Sequence, residues 1–84
     1  MSRGMPMSKE IIVYTSAACT SCRQVQEFLT QKGVDFQVRD ISADMKALDE
    51  LAALGYLATP VTVIDGEAVA GFNRKRLEAL LQER

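Results

Sequence analysis

The sequence predicts one α/β domain whose elements follow the order strand, helix, strand, helix, strand, strand, helix. Short β-branched runs alternate with stretches of helical periodicity, which is typical of this class. Asp65 and Gly66 separate two of the apolar runs, and this pair predicts a two-residue hairpin. The 84 residues suffice for a single core. A right-handed crossover between the first two strands, followed by the hairpin, gives a four-stranded mixed sheet.

The first half of the chain predicts two strands around one helix. Residues 10–15 are apolar at successive positions, as expected for a strand covered on both faces. Residues 20–32 show helical spacing, and Gly33 supplies the end of this helix. Residues 34–38 alternate apolar and polar side chains, which is the period of a strand with one polar face. The apolar positions of the helix are Cys22, Val25, Phe28 and Leu29.

The second half of the chain predicts two more helices and the hairpin. Residues 43–54 form helix two, with Ser42 as its N-cap and Gly55 as its end. Its expected buried stripe consists of Met45, Leu48, Leu51 and Leu54.

The hairpin strands are predicted over residues 61–64 and 67–70. Asn73 is expected to cap a last helix over residues 74–82. The inward-facing side chains of that helix are Leu77, Leu80 and Leu81.

Composition and charge exclude several classes of protein. Hydrophobic residues make up 48% of the chain and charged residues 25%, which predicts a soluble globule rather than a disordered chain or a membrane span. The formal net charge of −1 gives no electrostatic reason to expect nucleic acid or an anionic membrane as a partner. There is no histidine, so a Cys/His dyad is excluded, and we expect no metal site in a monomer.

The N-terminal residues predict a location rather than a structure. We expect residues 1–8 to be a frayed tail and residues 9–84 to be the folded domain. Arg, Gly and Pro interrupt the apolar side chains of the tail, which therefore lacks a stretch of signal-peptide length. We accordingly expect a monomer in a reducing cytoplasm, where two closely spaced cysteines are catalytic or metal-binding rather than a permanent disulfide.

The only two cysteines of the chain, Cys19 and Cys22, lie where the first strand gives way to the first helix. Two intervening residues put the sulfurs within about one helical turn, so that they can form and reopen a disulfide. At a helix N-terminus, unpaired N–H groups and the helix dipole favour the thiolate. The pKa of a free cysteine, about 8.5, falls to roughly 3.5–7.5 in such motifs. The hydroxyls of Thr20 and Ser21 add two donors for a thiolate.

The whole pattern resembles the glutaredoxin family of the thioredoxin fold. The resemblance covers about residues 10–82 and rests on the Cys19 to Cys22 motif, on Thr59-Pro60 before the hairpin and on a Gly shortly before the last helix. Within the family, residues 55–61 and 70–72 look most like the NrdH-type redoxins, glutaredoxin-like proteins that deliver electrons to ribonucleotide reductase. The resemblance implies a thioredoxin fold of β-α-β-α-β-β-α order and a dithiol oxidoreductase that reduces protein disulfides.

The resemblance also implies a role for each site residue. Cys19 is the nucleophile that forms a mixed disulfide with the substrate, and Cys22 is the resolving thiol. Pro60 is expected in the cis form, which brings the Thr59 backbone beside the sulfurs to pair with an extended substrate. The remaining residues expected to bind substrate or glutathione are Thr20, Ser21, Gly71, Phe72 and Asn73.

The reductant is either a thioredoxin-reductase-type flavoprotein or glutathione, and no bound cofactor is expected. Glutathione-using members of the family carry a cation shortly before the first cysteine, where residues 16–18 of this chain are neutral. They also carry Gly-Gly and then an Asp near the last helix, where this chain reads Gly71-Phe72-Asn73-Arg74. Both departures disfavour glutathione without deciding between the two donors.

Two other functions stay open at this point. One is an iron–sulfur or metal-binding protein with little reductase activity, in which Cys19 from two chains meets around a cluster. The other is an inactive adaptor that uses the fold only for binding. The three cations Arg74, Lys75 and Arg76 oppose the dipole of the last helix. They form either a solvated face or a docking site for acidic groups.

Overall fold

The computed structural model describes residues 10–82, and the predicted N-terminal tail lies outside them. Seven elements follow one another in the predicted order. They are β1 (Ile11–Thr15), α1 (Thr20–Gln31), β2 (Gln37–Asp40), α2 (Met45–Ala53), β3 (Val61–Ile64), β4 (Glu67–Ala70) and α3 (Arg74–Gln82). The strands form one mixed sheet of order β2-β1-β3-β4, in which β1 and β2 are parallel and the other pairs antiparallel. This is the predicted arrangement of a thioredoxin fold.

The sheet is covered on both faces. Alternate residues of β1, β3 and β4 point to opposite sides, because successive side chains of a strand alternate. One face packs against α1 and α3 in a core formed by Ile11, Val13, Val25, Phe28, Leu29, Ile64, Val69, Leu77 and Leu80. The other face packs against α2 in a smaller cluster formed by Tyr14, Leu51 and Val61. The continuous apolar run of β1 is thus explained by burial on both sides, as predicted.

Strand β2 begins later than its sequence pattern predicted. The parallel register pairs Ile12 with Gln37, so Phe36 lies opposite Ile11, the first residue of β1, and residues 34 and 35 extend past the beginning of that strand. Val34 and Phe36 still pack at the margin of the larger core. Val38, the last apolar residue of the predicted strand, is exposed, because β2 is an edge strand. The observed strand, Gln37–Asp40, therefore begins three residues later and ends two residues later than the predicted range 34–38.

Helix α2 is shorter than predicted, and it buries different residues. Its N-cap is Asp44, whose carboxylate accepts a hydrogen bond from the Lys46 N–H at 2.9 Å, and not Ser42. The buried positions are Ala47 and Leu51, one turn apart. The predicted stripe was wrong at both ends, since Met45 and Leu54 are exposed. These two residues lie on opposite sides of a helix that turns by about 100° per residue.

The hairpin and the last helix agree with the sequence prediction. Asp65 and Gly66 both have positive φ, 50° and 88°, which is the backbone of a type I′ turn. Asn73 caps α3 by accepting a hydrogen bond from the Arg76 N–H at 3.2 Å. Leu77 and Leu80 are buried. No helix within residues 10–82 is both long enough and apolar enough to cross a membrane.

Candidate active site

Cys19 is the N-cap residue of α1, with an extended backbone at φ −103° and ψ 105°. Its Sγ accepts a hydrogen bond from the backbone N–H of Cys22 at 3.2 Å. The first-turn amides of a helix have no acceptor within the helix, and the positive end of its dipole lies at the same place. Both effects favour negative charge on the sulfur of Cys19 once the protein is reduced.

The two cysteines form a disulfide, with their Cα atoms 5.3 Å apart. They differ in access. The side chain of Cys19 is partly exposed, whereas Cys22 is only 1% exposed beneath it. A second molecule therefore meets the sulfur of Cys19 first.

The loop before β3 lies against Cys19. Its Thr59–Pro60 peptide bond is cis, as predicted. The hydroxyl of Thr59 lies 3.8 Å from Cys19 Sγ and donates toward it. The Gly71 N–H donates to the Pro60 carbonyl at 2.8 Å, which ties this loop to the end of β4. Only the backbone of Thr59 was expected at the site, so its hydroxyl is an additional contact.

A second hydroxyl continues from Thr59. Ser16 Oγ lies 2.7 Å from Thr59 Oγ1, and both side chains are partly buried. In the sequence, Ser16 stands out only as a neutral residue before the motif. A serine directly after a strand that leads into Cys19 was the one signal available for it.

The loop from β1 to α1 is held from the side of β2. The Ala17 N–H donates to Ser42 Oγ at 3.3 Å. Ser42 in turn donates to Asp40 from both its N–H, at 2.9 Å, and its hydroxyl, at 2.5 Å. These bonds lower the pKa of Asp40, the side-chain bond from Ser42 being the largest cause. The sequence pattern placed Ser42 at the start of a helix, and this contact explains why its hydroxyl is used elsewhere.

An open groove of about 500 Å³ runs beside the disulfide. It is lined by both cysteines and by residues of β1, of the loop that follows it and of α1, with Arg23 as its one charged side chain among the residues described. Neither Thr20 nor Ser21 donates a hydrogen bond to a sulfur within residues 10–82. Within the same residues, no group of three or more Cys, His, Asp or Glu side chains is arranged to hold a metal ion.

The remaining predicted site residues have contacts of their own. Phe72 is 39% exposed, and its ring meets the ring of Phe28 edge-on with centroids 6.0 Å apart. Asn73 uses its side-chain oxygen to cap α3. Gly71 reaches the site through its bond to Pro60. The structure thus places the Thr59 hydroxyl beside Cys19, Thr20 in the groove and Gly71 against the Pro60 carbonyl. Phe72 and Asn73 have structural contacts.

Comparison with known proteins decides the family. A glutaredoxin family model matches residues 11–69. The chain belongs to the glutaredoxin family. An uncharacterized glutaredoxin-like 8.6 kDa protein in a rubredoxin operon of Clostridium pasteurianum is 31% identical over 87% of this chain and 99% of its own length. The glutaredoxin-like protein NrdH of Lactococcus lactis subsp. cremoris is 26% identical over 83% of this chain and 97% of its own length.

A solved structure supports the same family. The crystal structure of the thioredoxin-like protein BC3987 is 40% identical, with a TM-score of 0.83, over 86% of this chain and all of that chain. The fold, the NrdH-like relatives and the Cys19–Cys22 pair make this glutaredoxin a thiol–disulfide oxidoreductase. Such an activity requires a substrate that bears a disulfide and a partner that supplies electrons.

Proposed function

We propose that this glutaredoxin reduces disulfide bonds in other proteins, with Cys19 as the nucleophile and Cys22 as the resolving thiol. The observation that carries the proposal is the position of Cys19, which is partly exposed at the N-cap of α1 and accepts the Cys22 N–H. Cys22 is buried directly behind it. The accessible sulfur is therefore the one whose negative charge the helix stabilises.

The proposed reaction proceeds in two exchanges. The thiolate of Cys19 attacks one sulfur of the substrate disulfide; a Cys19–substrate bond forms, and the other substrate sulfur leaves as a thiolate that takes a proton from solvent. Cys22 then loses its proton and attacks Cys19 Sγ. The Cys19–Cys22 bond forms, the mixed disulfide breaks, and the second substrate thiol is released. The substrate gains two electrons and two protons, and the dithiol of the enzyme becomes the disulfide.

We propose that Thr59 holds the substrate chain. Within residues 10–82, neither its N–H nor its C=O makes a backbone hydrogen bond. These two groups beside Cys19 are available to an extended segment, which would add to the protein as a short strand. Main-chain pairing of this kind accepts many sequences and suits a reductase that acts on proteins.

We propose a thioredoxin-reductase-type flavoprotein as the electron donor, with glutathione as the alternative. Binding of glutathione relies on cations around the first cysteine that hold its carboxylates, and residues 16–18 are neutral. Arg23 is the one charged side chain that lines the described groove. The likeness to a protein named NrdH supports the same donor through the family resemblance.

The test combines a trapping experiment with two coupled assays. Cys22→Ser is expected to accumulate a mixed disulfide with insulin, used as a protein disulfide probe, and Cys19→Ser, its matched control, is expected to form none. Oxidation of NADPH is then followed with thioredoxin reductase in one assay and with glutathione plus glutathione reductase in the other. Faster turnover with thioredoxin reductase supports a flavoprotein as the electron donor, and faster turnover with glutathione would identify glutathione as the donor instead. Trapping through Cys22 instead of Cys19, or no turnover in either assay, would contradict the mechanism.

We further propose that the protein works as a monomer in a reducing cytoplasm. A disulfide-reducing cycle needs a supply of electrons, and the cytosol supplies them through the glutathione and thioredoxin systems that keep its thiols reduced. Rapid thiol alkylation in cells, followed by separation of the oxidised and reduced forms, is expected to find both cysteines mostly reduced. A permanently oxidised pool would contradict this location.

A further inference from the structure

Two hydroxyls and one sulfur form a hydrogen-bond chain that ends at the nucleophile. Ser16 Oγ lies 2.7 Å from Thr59 Oγ1, and Thr59 Oγ1 lies 3.8 Å from Cys19 Sγ. Ser16 belongs to the segment between β1 and α1, while Thr59 precedes β3, 43 positions further along the chain. The hydrogen-bond chain therefore joins two separate segments at the point where the reacting sulfur lies.

The number of hydroxyl protons fixes which atom donates in each bond of this hydrogen-bond chain. Each hydroxyl carries one proton and can donate once. When Thr59 donates to the sulfur, its proton is committed, and Ser16 must be the donor in the Ser16–Thr59 bond. Hydrogen bonds in such a chain strengthen one another, because each donor is polarised by the bond that it accepts.

The strength of the hydrogen bond to Cys19 Sγ depends on the redox state of the protein. The sulfur of a disulfide is neutral and accepts hydrogen bonds weakly, whereas a thiolate carries a full charge and accepts them strongly. A donor aimed at Cys19 Sγ thus stabilises the reduced protein more than the oxidised one.

We propose that Thr59 donates a hydrogen bond to the Cys19 thiolate and that Ser16 is a positioning residue which aims this donor. The inference rests on the proposed function, since it takes Cys19 as the nucleophile. Other groups also face this sulfur or the groove beside it: the N–H of Cys22, the positive end of α1, the buried thiol of Cys22 and the guanidinium of Arg23. The two hydroxyls add to these groups and set the final thiolate fraction.

The test is a double-mutant cycle on the reduced protein. The variants are Thr59→Val, which keeps the shape and removes the hydroxyl, Ser16→Ala, and the two together. Thr59→Ser retains the hydroxyl and is the conservative rescue. Thr30→Ala is the matched control, because Thr30 is exposed and its hydroxyl donates to the Gln26 carbonyl within α1. Two quantities are measured: the pH midpoint of thiolate formation, from ultraviolet absorbance, and the equilibrium with a glutathione redox buffer.

Removing the Thr59 hydroxyl is expected to raise the midpoint by about one pH unit, because a hydrogen bond to the charged form favours that form. The equilibrium should shift several-fold toward the disulfide for the same reason. Ser16→Ala should raise the midpoint by a smaller amount, and it should have no further effect when Thr59 is already Val. Thr59→Ser and Thr30→Ala should stay close to the wild type.

Three results would overturn the inference: an unchanged midpoint in Thr59→Val, an equal effect of Ser16→Ala with and without the Thr59 hydroxyl, or a Ser16→Ala variant that only loses stability. Should Thr59→Val fail to fold, the Ser16→Ala variant decides alone. An unchanged midpoint in that variant would show that Ser16 does not act on the Cys19 thiolate through Thr59. The proposed function fails separately. It is rejected by exchange activity that survives in Cys19→Ser, whereas loss of activity there with unmoved midpoints in the hydroxyl variants rejects only this inference.

Discussion

The phenol of Tyr14 donates a hydrogen bond to Glu50 Oε1 at 3.1 Å, and this bond joins β1 to α2. Arg39 of β2 approaches the other oxygen of the same carboxylate at 2.8 Å. Burial raises the pKa of Tyr14 above its ordinary value of 10.0; the hydrogen bond and the charge of Glu50 add to this, while Arg39 opposes it. The contact is therefore strongest while the phenol keeps its proton.

Tyr14→Phe tests this contact. We expect the variant to lose about 1 kcal/mol of unfolding free energy at neutral pH, the typical value of one hydrogen bond. Because the folded-state pKa is raised, the stability that this group contributes is complete below pH 10.0 and is lost as pH rises through the folded value. Urea unfolding should thus show a difference between wild type and variant that narrows in alkali. A difference that stays constant or widens with pH would contradict the direction of the shift.

Asp40→Ala tests the anchor of the loop before Cys19. Hydrogen bonds from Ser42 lower the pKa of the Asp40 carboxyl below 3.8. Its contribution is present above that value and is lost as pH falls through the lower folded value. The variant should be less stable than the wild type at neutral pH, and the difference should shrink in strong acid. Asp49→Ala, on the exposed side of α2, is the control for the loss of an exposed carboxylate outside this hydrogen-bond network.

Ala18 has a φ of +57°, in a region that side chains disfavour, directly before the nucleophile. Replacing it with glycine removes a penalty of about 1–2 kcal/mol and adds roughly 0.5–1 kcal/mol of backbone entropy cost, so Ala18→Gly should be slightly stabilising. Ala17→Gly is the matched control at the adjacent position, and it should destabilise by about 0.4–1 kcal/mol. Equal thermal midpoints for the two variants would mean that Ala18 carries no strain.

The basic cluster at the start of α3, formed by Arg74, Lys75 and Arg76, is largely paired within the protein. Arg76 contacts Glu67 at 3.0 Å, and Arg74 contacts Glu78 at 3.5 Å. Arg74 also lies over the Phe28 ring, 5.8 Å from its centroid. These contacts account for two cations that the helix dipole disfavours, and they favour the solvated face over a docking site.

Changing all three cations of the basic cluster to Gln tests that interpretation. We expect the dependence of turnover on ionic strength to match the wild type, and stability to fall by about 0–1 kcal/mol per lost ion pair. A weaker salt dependence of turnover in the variant would instead indicate that the cluster docks an acidic partner.

Local sequence signals predicted most of the fold. The Asp65-Gly66 turn needs residues that accept positive φ, and the apolar spacing of α1 matches a helix with one buried face. The resemblance to glutaredoxins added the cis form of Pro60, which no local pattern required.

The misplaced elements show what local pattern lacks. The limits of β2 depend on where β1 begins, because a parallel strand extends only as far as its partner. The face of α2 depends on which side meets the sheet, and on that side Ala47 is buried while the larger Met45 is exposed to solvent. Both are tertiary properties that override the periodicity of a short segment.

In the candidate active site, too, sequence spacing predicts some features, whereas others depend on the tertiary structure. The Cys-x-x-Cys spacing identifies the two sulfurs by itself, since the chemistry requires both on one helical turn. The hydroxyls of Ser16 and Thr59 meet across 43 positions of the chain, and no sequence spacing relates them. The bond from Ala17 to Ser42 likewise joins two loops that only the sheet brings together.

The decisive measurement is the rate of alkylation of the reduced protein as a function of pH, with the labelled residue identified by mass spectrometry. It addresses the assignment of Cys19 as the ionised and accessible nucleophile. We expect Cys19 to be labelled first, at a rate that reaches a plateau at a pH well below the pKa of a free cysteine, about 8.5. The Cys19→Ser variant should lose this fast phase, because the assignment places the reactive thiolate at Cys19. Labelling that begins at Cys22, or a midpoint equal to that of a free cysteine, would contradict it.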